Sequence, residues 1–428
     1  MRTKTAAASL TATIAGLFCW SAALAADQRS DLAALARTAL ADDSILAADA
    51  ASSLRQAGPE GMEALLAQNA SGEALDRVCG VRDCADIRLF WYTDLEAAKA
   101  AARAQGKPIL SLRLMGRLDE EFSCANSRFF RTVFYKNREI DTLLREGFVL
   151  HWRSVRPVPK VTIDFGDGSR LERTLTGNSI HYVLDSRGRL IEALPGLYGP
   201  AEFRDALRTA AAEARYAERL DDSQLASWMS GHAEDQLKLR AQAMLRERAR
   251  AADPQAAQPE PEVLNDPIAA GELASSKSAV EARVLRAVTN RPTGTPPSLP
   301  PALASLTDDD LRVLADFRRP NVRLDAESRA FLLRKQGVTD PVQGDRLVDS
   351  FEQTIALDEA IDEYRLRPAI LLKLSDPKVW KGFDLEAFNL WLYENVFRTP
   401  LDDPWLGLAP DDVYGALPAS ARTEVPRP

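Results

Sequence analysis

Histidine, cysteine and methionine are scarce in this chain of 428 residues, which has three, four and five of them. That scarcity removes the commonest soft donors for a transition-metal centre, and no two of His151, His181 and His232 lie at metal-ligand spacing. A haem-attachment motif, a P-loop, a dinucleotide fingerprint and a serine-hydrolase elbow are all missing, so no cofactor or metal is implied. Positive charge is in deficit: 54 Lys and Arg face 62 Asp and Glu, a net charge of −8. Such a balance disfavours nucleic acid and anionic membrane surfaces as partners. After residue 25 no run is apolar and long enough to span a bilayer.

What is present begins with a leader. Arg2 and Lys4, the apolar stretch Leu10 to Cys19 and the small-residue site Ala23-Leu24-Ala25 read as a secretory signal over 1–25. A membrane anchor is the competing reading, and the shortness of the apolar run argues against it. Its removal takes the net charge from −8 to −10, carries Cys19 away and leaves no transmembrane anchor. An Ala/Arg-rich chain with this leader points to a bacterial periplasm or exterior.

About 400 further residues exceed what one core usually holds, so two or three domains are expected. Residues 26–88 are Ala/Leu-rich with helical spacing, broken at Gly58-Pro59-Glu60-Gly61. From 89 to 217 helical and strand signals alternate. Leu89 to Tyr92 reads as a strand, and Thr93-Asp94-Leu95-Glu96 as a capping box opening a helix that Gly106 closes. Strands follow at Ile109 to Met115 and Phe148 to Val155, with a helix between them carrying Phe130, Val133 and Phe134 on one face. Two hairpins come next, turning at Gly166-Asp167-Gly168-Ser169 and Asp185-Ser186-Arg187-Gly188, and then a helix from Pro200 to about Tyr216. Charged helix continues over 218–250. Residues 251–302 hold nine of the 25 prolines and read as a linker, with Ser278 to Val288 a candidate helix inside it. Residues 303–428 read as a helical C-terminal domain ending in an extended tail.

An oxidising compartment gives the three remaining cysteines meaning. Cys79 and Cys84, in Cys-Gly-Val-Arg-Asp-Cys, are close enough for a local disulfide. Cys124 is then the odd one, and an odd cysteine in an exported protein is either reactive or a liability. It stands in Cys124-Ala125-Asn126-Ser127, between a strand and a helix. Backbone N–H groups there favour a thiolate, and Arg128 and Arg131 add positive charge if they point back. The bland alternative is that Cys124 is a small buried apolar residue. A further alternative makes Cys79 or Cys84 its resolving partner.

Residues 89–207 resemble the thioredoxin-like superfamily. The resemblance rests on Gly106-Lys107-Pro108-Ile109-Leu110, on Phe148-Val149, on Gly177 to Asp185 and on Gly196 to Leu207, with Cys124 to Ser127 in the redox position. The stretches Ser123 to Arg131, Gly177 to Tyr182 and Asp403 to Leu408 are similar to those of exported bacterial thioredoxin-like proteins. The resemblance implies an α/β thioredoxin-like domain, a central mixed sheet flanked by helices, with all-α N-terminal and C-terminal regions. Two positions depart from the family. Its resolving cysteine is Ser127, and its cis-proline is Ser179, where a trans peptide is expected because a cis bond before a non-proline costs about 3–4 kcal/mol.

The chemistry so implied is monothiol exchange, a thiol–disulfide oxidoreductase or isomerase activity without a resolving cysteine. Cys124 and Ser127 are its catalytic candidates, with protein disulfides or a small thiol such as glutathione as partners. Asn126, Arg128, Arg131, Arg153, Arg156, Asn178 and Ser179 are the candidate substrate-binding residues, the arginines and Asn178 as an anion pocket. The rival reading is a non-catalytic thioredoxin-like scaffold that binds a protein or envelope partner.

Overall fold

The computed structural model describes residues 29–41, 44–174, 178–251 and 299–402. The leader, most of the Pro-rich segment with its candidate helix, and the tail carrying Trp405 therefore lie outside the described residues.

The N-terminal region is helical, with a helix at 29–39 followed by α1 (Ser44–Gln56), α2 (Pro59–Leu66), α3 (Glu73–Cys79) and α4 (Cys84–Ile87). Cys79 and Cys84 form a disulfide between α3 and α4. Arg55 ties α1 to the rest of the chain, donating to the carbonyls of Val78 and Trp91 at 2.7 Å each.

The α/β region is built on a five-stranded mixed sheet in the order β1-β3-β2-β6-β7. Its strands are β1 (Trp91–Tyr92), β2 (Ile109–Met115), β3 (Val149–Arg156), β6 (Ser179–Leu184) and β7 (Leu190–Pro195). β1, β3 and β2 run parallel, whereas β6 and β7 are antiparallel. A separate hairpin pairs β4 (Lys160–Asp164) with β5 (Arg170–Thr174). β2 is buried at every position, as a central strand covered on both faces must be.

Helix α5 (Leu95–Gln105) links β1 to β2. Asp94 caps it, accepting from Ala97 N at 2.7 Å, and Gly106 ends it in the left-handed region at φ 65°. The cap is thus one residue later than the Thr93 capping box expected. Between β2 and β3 lie α6 (Ala125–Phe129), a π-helical turn at Phe130–Phe134, and α7 (Arg138–Gly147), which Asn137 caps through its side chain. The wide turn directs a run of rings into one cluster. Phe134 stacks on Phe203 at 4.2 Å, Phe130 meets His181 at 4.5 Å and Tyr135 meets Trp91 at 5.1 Å.

Helix α8 (Pro200–Ala217) follows β7, and α9 (Asp222–Ala251) follows α8. After residue 298 come α10 (Asp308–Arg318), α11 (Ala326–Gln336), α12 (Pro341–Ile361), a π-helical turn at Asp362–Leu366, α13 (Arg367–Ser375) and α14 (Leu385–Asn395). α8, α9, α10, α12, α13 and α14 share one apolar cluster with the sheet. They are also stitched to it by charge: Glu192 of β7 pairs with Arg367, and the backbone N–H groups of Leu197 and Gly199 donate to Asp362 and Glu359.

Gly196 opens that turn at φ 68°, and a Cβ there would lie 2.1 Å from Asp362 Oδ2. Gly196→Ala combines left-handed strain with overpacking, so a stability loss of roughly 2–4 kcal/mol is expected in urea unfolding. A loss below about 0.5 kcal/mol would mean that the turn yields freely.

Candidate functional site

Cys124 sits where the chain returns to the end of β2. Gly116 leaves the strand at φ 74°, its N–H bonded to Arg156 O at 2.8 Å, and Cys124 N comes back to Met115 O at 3.2 Å. Cys124 is the N-cap of α6, and its own carbonyl accepts from Arg128 N at 3.2 Å.

The thiol is wholly buried, with 0% of the residue exposed. The residue is buried, as the bland alternative for Cys124 has it. Two buried tyrosines stand near it, Tyr135 just after the π-helical turn and Tyr393 of α14. Burial raises the phenol of each well above its ordinary range, and the nearby Cys124 adds to the rise.

Ser127 is buried as well. Its Oγ lies 2.6 Å from Ser123 Oγ and 2.8 Å from Cys124 O. Asn126 Nδ2 donates to Ser179 Oγ at 2.9 Å, joining α6 to the start of β6. Asn126 Oδ1 is buried and accepts no hydrogen bond from the described residues. The peptide bond before Ser179 is trans.

The candidate arginines reach different partners. Arg128 donates to Thr174 Oγ1 at 3.0 Å. Arg131 is buried, reaches Ser123 Oγ at 3.3 Å and faces Asp83 at 3.8 Å; burial lowers its pKa. Arg153 pairs with Glu386 at 3.2 Å, and Arg156 reaches Leu401 O at 3.5 Å. Asn178 Nδ2 donates to Thr399 Oγ1 at 2.9 Å, while its carbonyl accepts from Tyr393 at 3.2 Å. Three of the candidate binding residues, Arg153, Arg156 and Asn178, are thus bonded to one element, the stretch from α14 to Leu401. The acidic loop before Cys124 is also spoken for: Asp119 and Glu120 pair with Arg117, and Glu121 pairs with Arg82.

The Cys79–Cys84 bridge leaves neither sulfur as a resolving thiol, and Cys124 is the free cysteine among the described residues. The three histidines stand in three different settings. His151 Nδ1 lies 2.8 Å from Ser111 Oγ, His181 Nε2 lies 3.4 Å from Tyr135 OH, and His232 Nε2 lies 3.3 Å from Glu213.

One buried chain was not anticipated from the sequence. Arg113, in the middle of β2, donates to Ser111 Oγ at 2.6 Å and to Glu386 of α14 at 2.7 Å. Ser111 Oγ in turn lies 2.8 Å from His151 Nδ1, which extends the chain to β3. Next to it Tyr182 donates to Asn389 at 3.0 Å. These bonds fix α14 on the face of the sheet that carries Ser111, Arg113 and Tyr182. The sequence signal was Ser111 and Arg113 alternating with leucines in an otherwise apolar strand.

A shallow depression lined by Arg103, Lys107, Arg215 and Glu218 includes none of the Cys124-site residues. It gathers cations at the C-terminal ends of α5 and α8, which helix dipoles account for. Among the described residues no helix is long and apolar enough to cross a membrane.

The sheet and its flanking helices define an α/β domain with helical regions on either side. Comparison of the chain with protein-family models, with curated proteins and with solved structures finds no match.

Proposed function

We propose that this chain is an exported thioredoxin-like protein that works as a non-catalytic scaffold, its helical regions binding a protein or envelope partner. The strand order β1-β3-β2-β6-β7, with a parallel half and an antiparallel half, supports the thioredoxin-like reading. The observation that carries the scaffold reading is the complete burial of Cys124, while the stretch from α14 to Leu401 occupies Arg153, Arg156 and Asn178. A thiol must reach a disulfide sulfur to attack it, and this one has no open path.

A second reading is favoured by the position of Cys124 at the turn from β2 into α6, with its two fellow cysteines already bridged. In that reading an opened form does monothiol exchange. The Cys124 thiolate attacks a client disulfide, a Cys124–client bond forms, and the client's other sulfur leaves as thiolate. An external thiol such as glutathione then attacks the client sulfur of the mixed disulfide; Cys124 leaves as the thiolate and the client keeps the external thiol in a new disulfide.

Reaction of the native protein with a chromogenic disulfide reagent separates the two. A buried thiol is expected to react roughly 1,000-fold more slowly than in the denatured chain, because only rare openings expose it. Reaction within tenfold of the denatured rate would end the scaffold reading. A rate profile with a thiolate pKa well below about 8.5 would then install exchange in its place.

A further inference from the structure

We propose that the tail beyond Asp402 docks its apolar stretch, Trp405 to Leu408, on the outward face of the β4–β5 hairpin. This goes beyond both functional readings and needs neither of them. Directly paired residues of an antiparallel ladder share a face, so Lys160, Thr162 and Asp164 stand with Thr174, Glu172 and Arg170. Ile163 and Leu171 pair on the other face, and Phe165 follows two residues after Ile163. The polar face is the one turned to the body. Lys160 Nζ lies 4.5 Å from the Phe122 ring centroid, and Arg128 of α6 donates to Thr174 Oγ1 at 3.0 Å. The apolar face is left outward, with Ile163 44% and Phe165 60% exposed. Neither strand pairs with a third among the described residues, and a two-stranded hairpin is marginal in water by itself. An apolar face on so small an element calls for a cover.

Which segment covers it follows from where the chain goes. The last described stretch ends at Asp402, and the Leu401 carbonyl lies 3.5 Å from an Arg156 guanidinium nitrogen. Arg156 closes β3 and stands four residues before Lys160, so the hairpin rises close to the point from which the tail sets out. The lengths match. Ile163 is seven residues beyond Arg156, and Leu408 is seven residues beyond Leu401, an extended reach of about 25 Å in each case. Within that reach the tail carries Trp405, Leu406 and Leu408, its first apolar run. A segment tethered this close acts at an effective concentration on the order of millimolar, which a second copy of the chain reaches only in concentrated solution.

The test replaces Phe165 by the photo-cross-linking residue p-benzoylphenylalanine in the full chain, irradiates the purified protein at low concentration and maps the adducts by mass spectrometry. A docked tail predicts a monomer whose cross-link falls within residues 403–408. A cross-link to a second copy, a cross-link elsewhere in the chain, or none at all would overturn the proposal. Hydrogen exchange gives a second measurement that leaves the hairpin unaltered. Trp405→Ser/Leu406→Ser in the full chain is expected to speed exchange of the β4 and β5 amides roughly tenfold, while those of β2 keep their rates. Equal hairpin exchange in this variant and its parent would count against docking, as would a loosening that reaches β2 to the same extent. Should the Phe165 variant not fold, hydrogen exchange decides by itself.

Discussion

The summed contribution of His151, His181, Glu213 and Glu359 to stability holds nearly level between pH 6.5 and 4.5 and then falls steeply, losing on the order of 4 kcal/mol by pH 3. Burial pushes His151 and His181 down to about 3; His151 is lowered further by Arg113 and Arg153. Tyr135, Phe130 and Phe203 surround His181. A histidine with a depressed folded pKa contributes stability above its unfolded value of about 6.5, and that contribution drains away as pH falls toward 3. Two carboxyls act in the opposite sense. Burial raises Glu213 to about 7, with Glu192 adding to the rise and Arg367 and Arg240 opposing it. Burial likewise raises Glu359 to about 7, against the pull of Arg318 and the Gly199 N–H. Each contributes stability that is complete below about pH 4.5 and disappears as pH rises through 7. Between 4.5 and 6.5 the two gains and two losses offset one another. Below 4.5 only the histidines still titrate among these four, and two protons give a slope of about 2.7 kcal/mol per pH unit.

Urea unfolding at a series of pH values reads this directly. Glu213→Gln removes half of the compensation and should give a falling slope already below pH 6.5. His181→Phe keeps the ring contacts, loses the proton and should halve the slope below 4.5. A slope in the parent chain that runs unbroken from pH 6.5 to 3 would count against the assignment of Glu213 and Glu359.

Local signals were legible in the sequence because their causes are local. Gly106, Pro200 and the two Gly-bearing turns marked where helices and hairpins begin and end, and the Cys79–Cys84 spacing suited a bridge. What stayed hidden depends on partners far along the chain. Arg113 and Glu386 are 273 residues apart, and nothing near either one announces the other. The same holds for Asn178 and Thr399, 221 residues apart, so what occupies Asn178 had no local trace. Sequence placed a thiol at a strand-to-helix turn, but exposure is a property of whatever packs on that turn. The π-helical turn at Phe130–Phe134 was invisible for a related reason. An aromatic-rich run satisfies an α-helical pattern equally well until Phe203 and His181 supply the surface it must match.

Arg318→Ala is expected to cost about 3–5 kcal/mol, because it strands buried carboxylates that the guanidinium now serves. Arg318 donates to Glu359 at 2.6 Å, to both oxygens of Glu247 at 3.0 and 3.1 Å, and to Tyr364 at 3.0 Å. Glu359 is fully buried, and its other oxygen accepts from Gly199 N at 2.6 Å. The deficit should shrink at low pH, where Glu359 can take up a proton in place of the lost partner. Chemical denaturation at pH 8 and pH 5 tests the sign, and a loss under about 1 kcal/mol at pH 8 would contradict it.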